Sequence, residues 1–160
     1  MPVFHAVMSV EESEGIERII PAKNRTWGLC FQCCSCNEGS TRIAYVNPAE
    51  HHERDGGTHN FILKCKFCRS EITADVLPVP PGTGYYSAVE ESPANVIASF
   101  EVRGGRPVEL EIDNQWVVIA DGGGSFEEVD LSSEWYDYDD NTQAPVSIKG
   151  VSLAFEKLKK

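Results

Sequence analysis

The chain has 160 residues, 41% of them hydrophobic and 24% charged, the make-up of one globular domain long enough to bury a core. Its net charge of −11, from 25 acidic against 14 basic residues, argues against nucleic acid and anionic lipid as partners, because both demand clustered Lys and Arg. No apolar run reaches the ~18 residues of a membrane helix, and the opening MPVFHAVMSVEESEGIE carries neither a basic leader nor a long apolar segment, so a cytoplasmic protein is expected, with the nucleus as a further location.

In chain order, a strand-like run at 3–10 comes first. Two cysteine-bearing segments follow, WGLCFQCCSCNEG at 27–39 and FILKCKFCRSEITADVL at 61–77, with the polar loop EHHERDGGTHN between them. Beyond PPGTG at 80–84, the stretch 85–95 has room for one short turn. Strand-like runs then recur at 96–102, 108–112, 116–120 and 146–155, separated by RGGRP and DGGG. Helical periodicity is scarce throughout. The prediction is an all-β chain folded as a single domain over 1–160.

Six cysteines in a reducing compartment point to metal or redox chemistry before a disulfide framework. With Cys33 laid on Cys65, Cys36 falls on Cys68, and in each copy a strand enters Cys-x-x-Cys and a second β-prone run leaves it, Ile43 to Val46 in one and Ile72 to Val76 in the other. Both exit runs stop at a proline, Pro48 or Pro78. Two hairpins, each turning on a Cys-x-x-Cys knuckle within 27–77, are therefore predicted. Two intervening residues let both thiolates of one turn face a single ion, and two such turns complete tetrahedral zinc. Asn37, after Cys36, tolerates the left-handed conformation such a turn needs. The predicted ligands are Cys33, Cys36, Cys65 and Cys68, in the spacing Cys-x2-Cys-x28-Cys-x2-Cys, holding one Zn2+ per chain. The rival frame pairs Cys30 with Cys33. Cys30 reads otherwise as a small buried hydrophobe, and Cys34 as an exposed thiol at the knuckle tip.

Zinc is preferred to iron or copper because four thiolates close the shell and leave no open position for substrate. A thioredoxin-like site needs a helix starting at the motif, and neither segment supplies one. DGGG at 121–124 lacks the Gly-Lys-Ser/Thr ending of a phosphate loop. His51, His52 and His59 lie in the polar loop and read as surface residues rather than a second metal site. A segment starting at Ala6 can be laid on one starting at Ala98, matching Val10 with Val102, Glu17 with Glu109 and Ile20 with Ile112, as a weak internal duplication.

CCSC with KCKFC, SFEVRGGRPVEL, and above all LSSEWYDYDDNTQAPVSI resemble the eukaryotic CXXC-motif zinc-binding protein family, in the same order along nearly the whole chain. The resemblance implies an all-β pseudo-barrel or sandwich of two similar β-halves, with one zinc on Cys33, Cys36, Cys65 and Cys68. Asn37 and Val102 depart from the glycine and cysteine found in some relatives. No activity comes with the resemblance.

The expected function is a non-enzymatic zinc protein acting through a protein partner, as a monomer that binds neither nucleic acid nor membrane. The alternative is a metal-handling or thiol-redox protein using labile cysteines, Cys34 included. The predicted contact is the acidic-aromatic stretch SFEEVDLSSEWYDYDDN, with Trp135, Tyr136 and Tyr138 for area and Asp137, Asp139 and Asp140 as steering acids.

Overall fold

The computed structural model describes residues 2–39, 43–54, 57–88 and 95–158, and among them every regular element is a strand. In chain order these are β1 (Val3–Glu14), β2 (Ile16–Pro21), β3 (Trp27–Cys33), β4 (Ala44–Val46), β5 (His52–Arg54), β6 (Gly57–His59), β7 (Phe61–Lys64) and β8 (Glu71–Leu77). The second half carries β9 (Tyr86–Ser87), β10 (Val96–Arg103), β11 (Gly105–Leu110), β12 (Trp116–Ala120), β13 (Ser125–Val129), β14 (Trp135–Asp139) and β15 (Ala144–Lys157).

The main sheet runs β14-β15-β1-β10-β8-β7, and two smaller sheets run β11-β3-β4 and β13-β12-β2-β9. The six-strand order is a palindrome of the two halves. Central β1 and β10 pair antiparallel, with Ala6 opposite Ala98, and each is flanked by a hairpin, β14–β15 or β7–β8. The smaller sheets cross over: β11 of the second half joins β3–β4 of the first, and β2 of the first joins β12–β13 of the second. The domain is thus two similar β-halves that exchange one strand each. Gly15 and Gly104 make the equivalent turns from β1 into β2 and from β10 into β11, at φ 70° and 80°, where a side chain is strained. A Cβ at Gly104 would also collide with the Glu71 carbonyl oxygen. Equivalence downstream follows these glycines and then Trp27 with Trp116, so the predicted match of Glu17 with Glu109 is displaced beyond the turn.

One hydrophobic cluster draws on both halves, from Phe4, Ala6 and Met8 to Leu29, Phe31, Phe100, Val118 and Ile148. The equivalent tryptophans meet at its centre, edge to face at 6.2 Å. Arg25, 4% exposed, lies over both rings at 4.1 and 4.6 Å. Its Nη2 donates to Asp113 Oδ2 at 2.6 Å and its Nη1 to the Gln115 carbonyl at 3.1 Å. Burial lowers the Arg25 pKa, and the neighbouring Asp113 carboxylate opposes that shift.

Several elements differ from the sequence expectation. The polar loop between the cysteine segments contains the hairpin β5–β6. Within 85–95, Tyr86 and Ser87 add a strand to β2, while 89–94 lie outside the described residues. The strands β2, β13 and β14 were not anticipated, because charged residues interrupt their apolar pattern.

In the second half, the turns equivalent to the two knuckles are 120–125 and 139–144. Asp139 ties them together. Its carboxylate is 3% exposed and accepts from the Asn141 N–H and the Thr142 hydroxyl, both at 3.0 Å. It presses against the other turn so closely that a Cβ on Gly124 would lie 2.8 Å from Oδ1. Asp139 is therefore an internal clasp and not one of the steering acids expected from the sequence.

Candidate metal centre

Cys33 closes β3 and Cys65 follows β7, so each hairpin delivers its first cysteine from a strand end. The two knuckles have the same backbone geometry. The Asn37 N–H donates to the Cys33 carbonyl and the Arg69 N–H to the Cys65 carbonyl, both at 2.9 Å. The Cys33 N–H donates to Glu38 O at 3.0 Å and the Cys65 N–H to Ser70 O at 2.8 Å. Asn37 and Arg69, the residues after each second cysteine, have φ 62° and 64°. These matching bonds support the register of Cys33 with Cys65 over the rival frame.

The four Sγ atoms of Cys33, Cys36, Cys65 and Cys68 all lie within 4.8 Å of one another. Two pairs cross between knuckles, Cys33 to Cys68 and Cys36 to Cys65, each at 3.6 Å. Zn–S bonds of about 2.3 Å in a tetrahedron set sulfurs roughly 3.8 Å apart, whereas a disulfide brings them to about 2.05 Å. The donor set therefore fits a tetrahedral thiolate metal and not a pair of disulfides.

The surroundings favour thiolate at two positions. The Ser70 hydroxyl and then its N–H bring the Cys68 thiol down to about 6, and the N–H groups of Cys68 and Phe67 lower Cys65. Cys36 goes the other way. The Glu38 amide pulls it down, but burial and the three neighbouring thiols together push it up to about 12. Sulfurs this close resist joint ionisation unless a cation lies among them. A metal that requires four thiolates binds with release of protons, so its affinity falls as pH falls.

Cys33 and Cys65 are buried, Cys36 is half-buried and Cys68 is exposed, so the centre sits at one end of the core with one side facing solvent. Cys30 stays away from the cluster. It is buried on the other face of β3 opposite Glu109, and burial, then the Glu109 carboxylate, raise its pKa. Cys34 is exposed, and its N–H donates to the Gly104 carbonyl at 3.0 Å, which anchors the first knuckle to the β10–β11 turn. Sequence reasoning missed Ser70, Gly104 and Arg69. Of these, only the Arg-Ser that follows Cys68, in the place of Asn37-Glu38, was visible as a signal.

Arg69 carries a Cβ in a conformation that costs a non-glycine residue about 1–2 kcal/mol, and Asn tolerates it best at the equivalent position. Arg69→Asn is expected to stabilise the protein by about 1 kcal/mol, or about 2–4 °C in Tm, with metal content unchanged. A lower Tm would show that the Arg69 side chain makes a contact that outweighs the strain.

The loop histidines are placed apart from the cysteines. His59 Nδ1 meets Asp75 Oδ2 at 2.8 Å, and Asp75 Oδ1 accepts the Asn60 N–H at 2.9 Å. His52 lies 3.5 Å from a Glu50 oxygen. The DGGG segment turns β12 into β13, with the Gly123 N–H bonded to Ala120 O at 2.9 Å.

Comparison with known proteins agrees with this geometry. The family described as CXXC motif containing zinc binding protein, eukaryotic, matches residues 7–156. A Drosophila melanogaster protein named UPF0587 protein CG4646 is 34% identical over 137 residues, covering 82% of this chain and 83% of its own length. The Mus musculus CXXC motif containing zinc binding protein is 31% identical over 137 residues, with coverage of 82% and 83%. The crystal structure of C1orf123 superimposes with a TM-score of 0.86 at 25% identity, over 98% of this chain and 99% of that one. A hypothetical protein from Plasmodium falciparum shares the fold, with a TM-score of 0.81 at 20% identity over 99% and 100% of the two chains. By fold, cysteine cluster and sequence, the chain belongs to the eukaryotic family of CXXC-motif-containing zinc-binding proteins.

Proposed function

We propose that the protein is a non-enzymatic β-scaffold in which one zinc ion, held by Cys33, Cys36, Cys65 and Cys68, locks the first half, and that it acts by binding another protein along β14. The observation that carries this reading is the outer face of β14. Tyr136 and Tyr138 are 58% and 50% exposed on the outermost strand of the six-stranded sheet, beside exposed Glu134, Asp137 and Asp140. Trp135 faces the other way and packs on Phe126 at 5.2 Å, which fixes the strand and turns both tyrosines outward. Exposed aromatics on an unpaired strand edge offer contact area and backbone hydrogen bonds, and the acids steer a basic partner. Free cysteines, Cys34 exposed among them, suit a reducing compartment such as the cytoplasm.

The test replaces the outward groups and spares Asp139. A basic partner captured from cell extract is expected to bind Tyr136→Ser/Tyr138→Ser at least tenfold more weakly. Asp137→Asn/Asp140→Asn is expected to slow association and flatten its salt dependence, with fold and zinc content intact. Unchanged rates for both variants would remove β14 as the contact.

A second reading, metal handling, is favoured by the exposure of Cys68, which leaves one ligand reachable by an incoming thiol. Rapid transfer of zinc to a stoichiometric competing chelator at neutral pH would support it. Retention over hours supports the structural role.

A further inference from the structure

The polar loop between the cysteine segments folds into the hairpin β5–β6, and its register sets two histidines side by side that the sequence reads as surface residues. His52 lies directly opposite His59, Glu53 opposite Thr58 and Arg54 opposite Gly57. Residues facing each other across an antiparallel pair project from the same side, with Cβ atoms about 4.5–5.5 Å apart. His52, Arg54, Gly57 and His59 therefore share one face of the hairpin. The bonds from His59 to Asp75 and from Arg54 to Glu71 turn that face onto β8. The cysteine centre and the β14 face make no use of these groups.

His59 is held in the way a metal-ligating imidazole is held. Its Nδ1 meets Asp75 Oδ2 at 2.8 Å, and because a carboxylate only accepts, the neutral ring carries its proton on Nδ1 and its lone pair on Nε2. The other Asp75 oxygen accepts the Asn60 N–H at 2.9 Å, which fixes the carboxylate in turn. A carboxylate behind an imidazole orients the ring and raises the basicity of the far nitrogen toward a metal. Nε2 lies beside Gly57, where even an added Cβ would stand 3.5 Å away, so no side chain of that residue fills the space. His52 supplies the second imidazole. It is half exposed, and its Nε2 stands 3.5 Å from Glu50 Oε2, which leaves Nδ1 for a ligand.

The surrounding charge suits a cation. Glu50, Glu71, Asp75 and Glu101 stand around this face against Arg54 and Arg103. Arg54 donates to Glu71 at 2.7 Å and Arg103 lies 3.6 Å from Glu101, so the two carboxylates without a guanidinium are the two behind the histidines.

We infer that His52 and His59 clamp a divalent ion of the zinc class across the β5–β6 hairpin, with water completing the shell and Asp75 as the positioning residue behind His59. Imidazole suits such ions, and two neutral ligands bind them more weakly than four thiolates do. This second site takes none of the four cysteines, so it stands or falls apart from the structural zinc and from the β14 contact. An ion there ties β5 to β6 and, through Asp75, to the main sheet.

The experiment titrates Zn2+ into the full-length protein already carrying its cysteine-bound zinc, with bound metal read by equilibrium dialysis and the histidine ring nitrogens by long-range 1H–15N NMR. A second equivalent is expected to bind, to shift His59 Nε2 and one ring nitrogen of His52, and to leave His5 and His51 unmoved. His52→Gln and His59→Gln should each lose at least tenfold in affinity and His51→Gln less than twofold, with the cysteine-bound zinc retained in all three. Asp75→Asn should cost about tenfold and should also change the tautomer balance of His59 in the spectrum without added metal, which a merely structural residue would leave alone. Binding should fade between about pH 7.5 and about pH 5.5, because protons compete for the same nitrogens. One histidine shifting without the other, or an equal loss in His51→Gln, would show an adventitious ion only and overturn the proposal. Full affinity at about pH 5.5 would do the same, since carboxylates alone would then hold the ion. No second ion at submillimolar Zn2+ would remove the site and leave the cysteine centre and the β14 reading standing.

Discussion

Removing zinc is expected to lower the melting temperature and to open the knuckle end of the molecule first. Structural zinc in small peptides contributes about 10–16 kcal/mol of apparent binding energy, comparable with the whole ~5–15 kcal/mol stability of a domain. Here the loss is spread unevenly. The first-half turns meet through the four sulfurs, whereas the corresponding second-half turns are clasped by the Asp139 carboxylate without a metal. Amide exchange should therefore rise earliest at 33–38 and 65–70 and last around β12 and β15. Cys68→Ser and Cys36→Ser are the cleaner variants, since Cys33 and Cys65 lie in the hydrophobic cluster and a buried hydroxyl there adds its own cost. Each ligand variant should lose the metal, and Cys30→Ser and Cys34→Ser should each keep one zinc per chain. Metal analysis in which Cys30→Ser abolishes binding while Cys36→Ser does not would sink the assignment. Full thermal stability after verified zinc removal would show that the ion is not structural.

Arg25→Ala is expected to destabilise the protein by about 3–5 kcal/mol, the usual consequence of breaking a buried ion pair from one side. Asp113 would keep the Gln115 N–H and Nε2 donors at 3.0 and 3.1 Å but lose its cation. The Trp27 and Trp116 rings would lose the guanidinium that covers both, and with it the tie that joins the halves at their shared centre. Arg25→Met with Asp113→Asn retains the side-chain volume without an unpaired charge, so that double variant should recover most of the loss. Urea unfolding of the single and double variants measures both. A cost below about 1 kcal/mol for Arg25→Ala would mean that neither the ion pair nor the guanidinium stacking holds the centre, which would then rest on the Trp27–Trp116 contact and the surrounding core.

The acidic-aromatic stretch shows why composition alone misplaces a surface. Read as a sequence, Asp137, Asp139 and Asp140 are equivalent acids. Alternation puts Asp137 and Asp139 on the same face of the strand, opposite the tyrosines, but Asp139 ends β14 and its carboxylate is buried in the turn it clasps, whereas Asp137 stays exposed. The partition depends on the pairing of β14 with β15, from Trp135 opposite Ile148 to Asp139 opposite Ala144, which no local pattern specifies.

By itself, the sequence determined the all-β class, the two hairpin knuckles and the four cysteines that come together, because each rests on short-range chemistry. Strand alternation, the reach of Cys-x-x-Cys around one ion and the tolerance of Asn37 for a left-handed turn are all contained within a few residues. Tertiary structure alone decided how the halves combine. The palindromic sheet, the exchange of β2 and β11 and the stacking of Arg25 on two tryptophans all join residues far apart in the chain. Such contacts are selected by the burial of a shared core, a property of the whole chain that no window of sequence expresses.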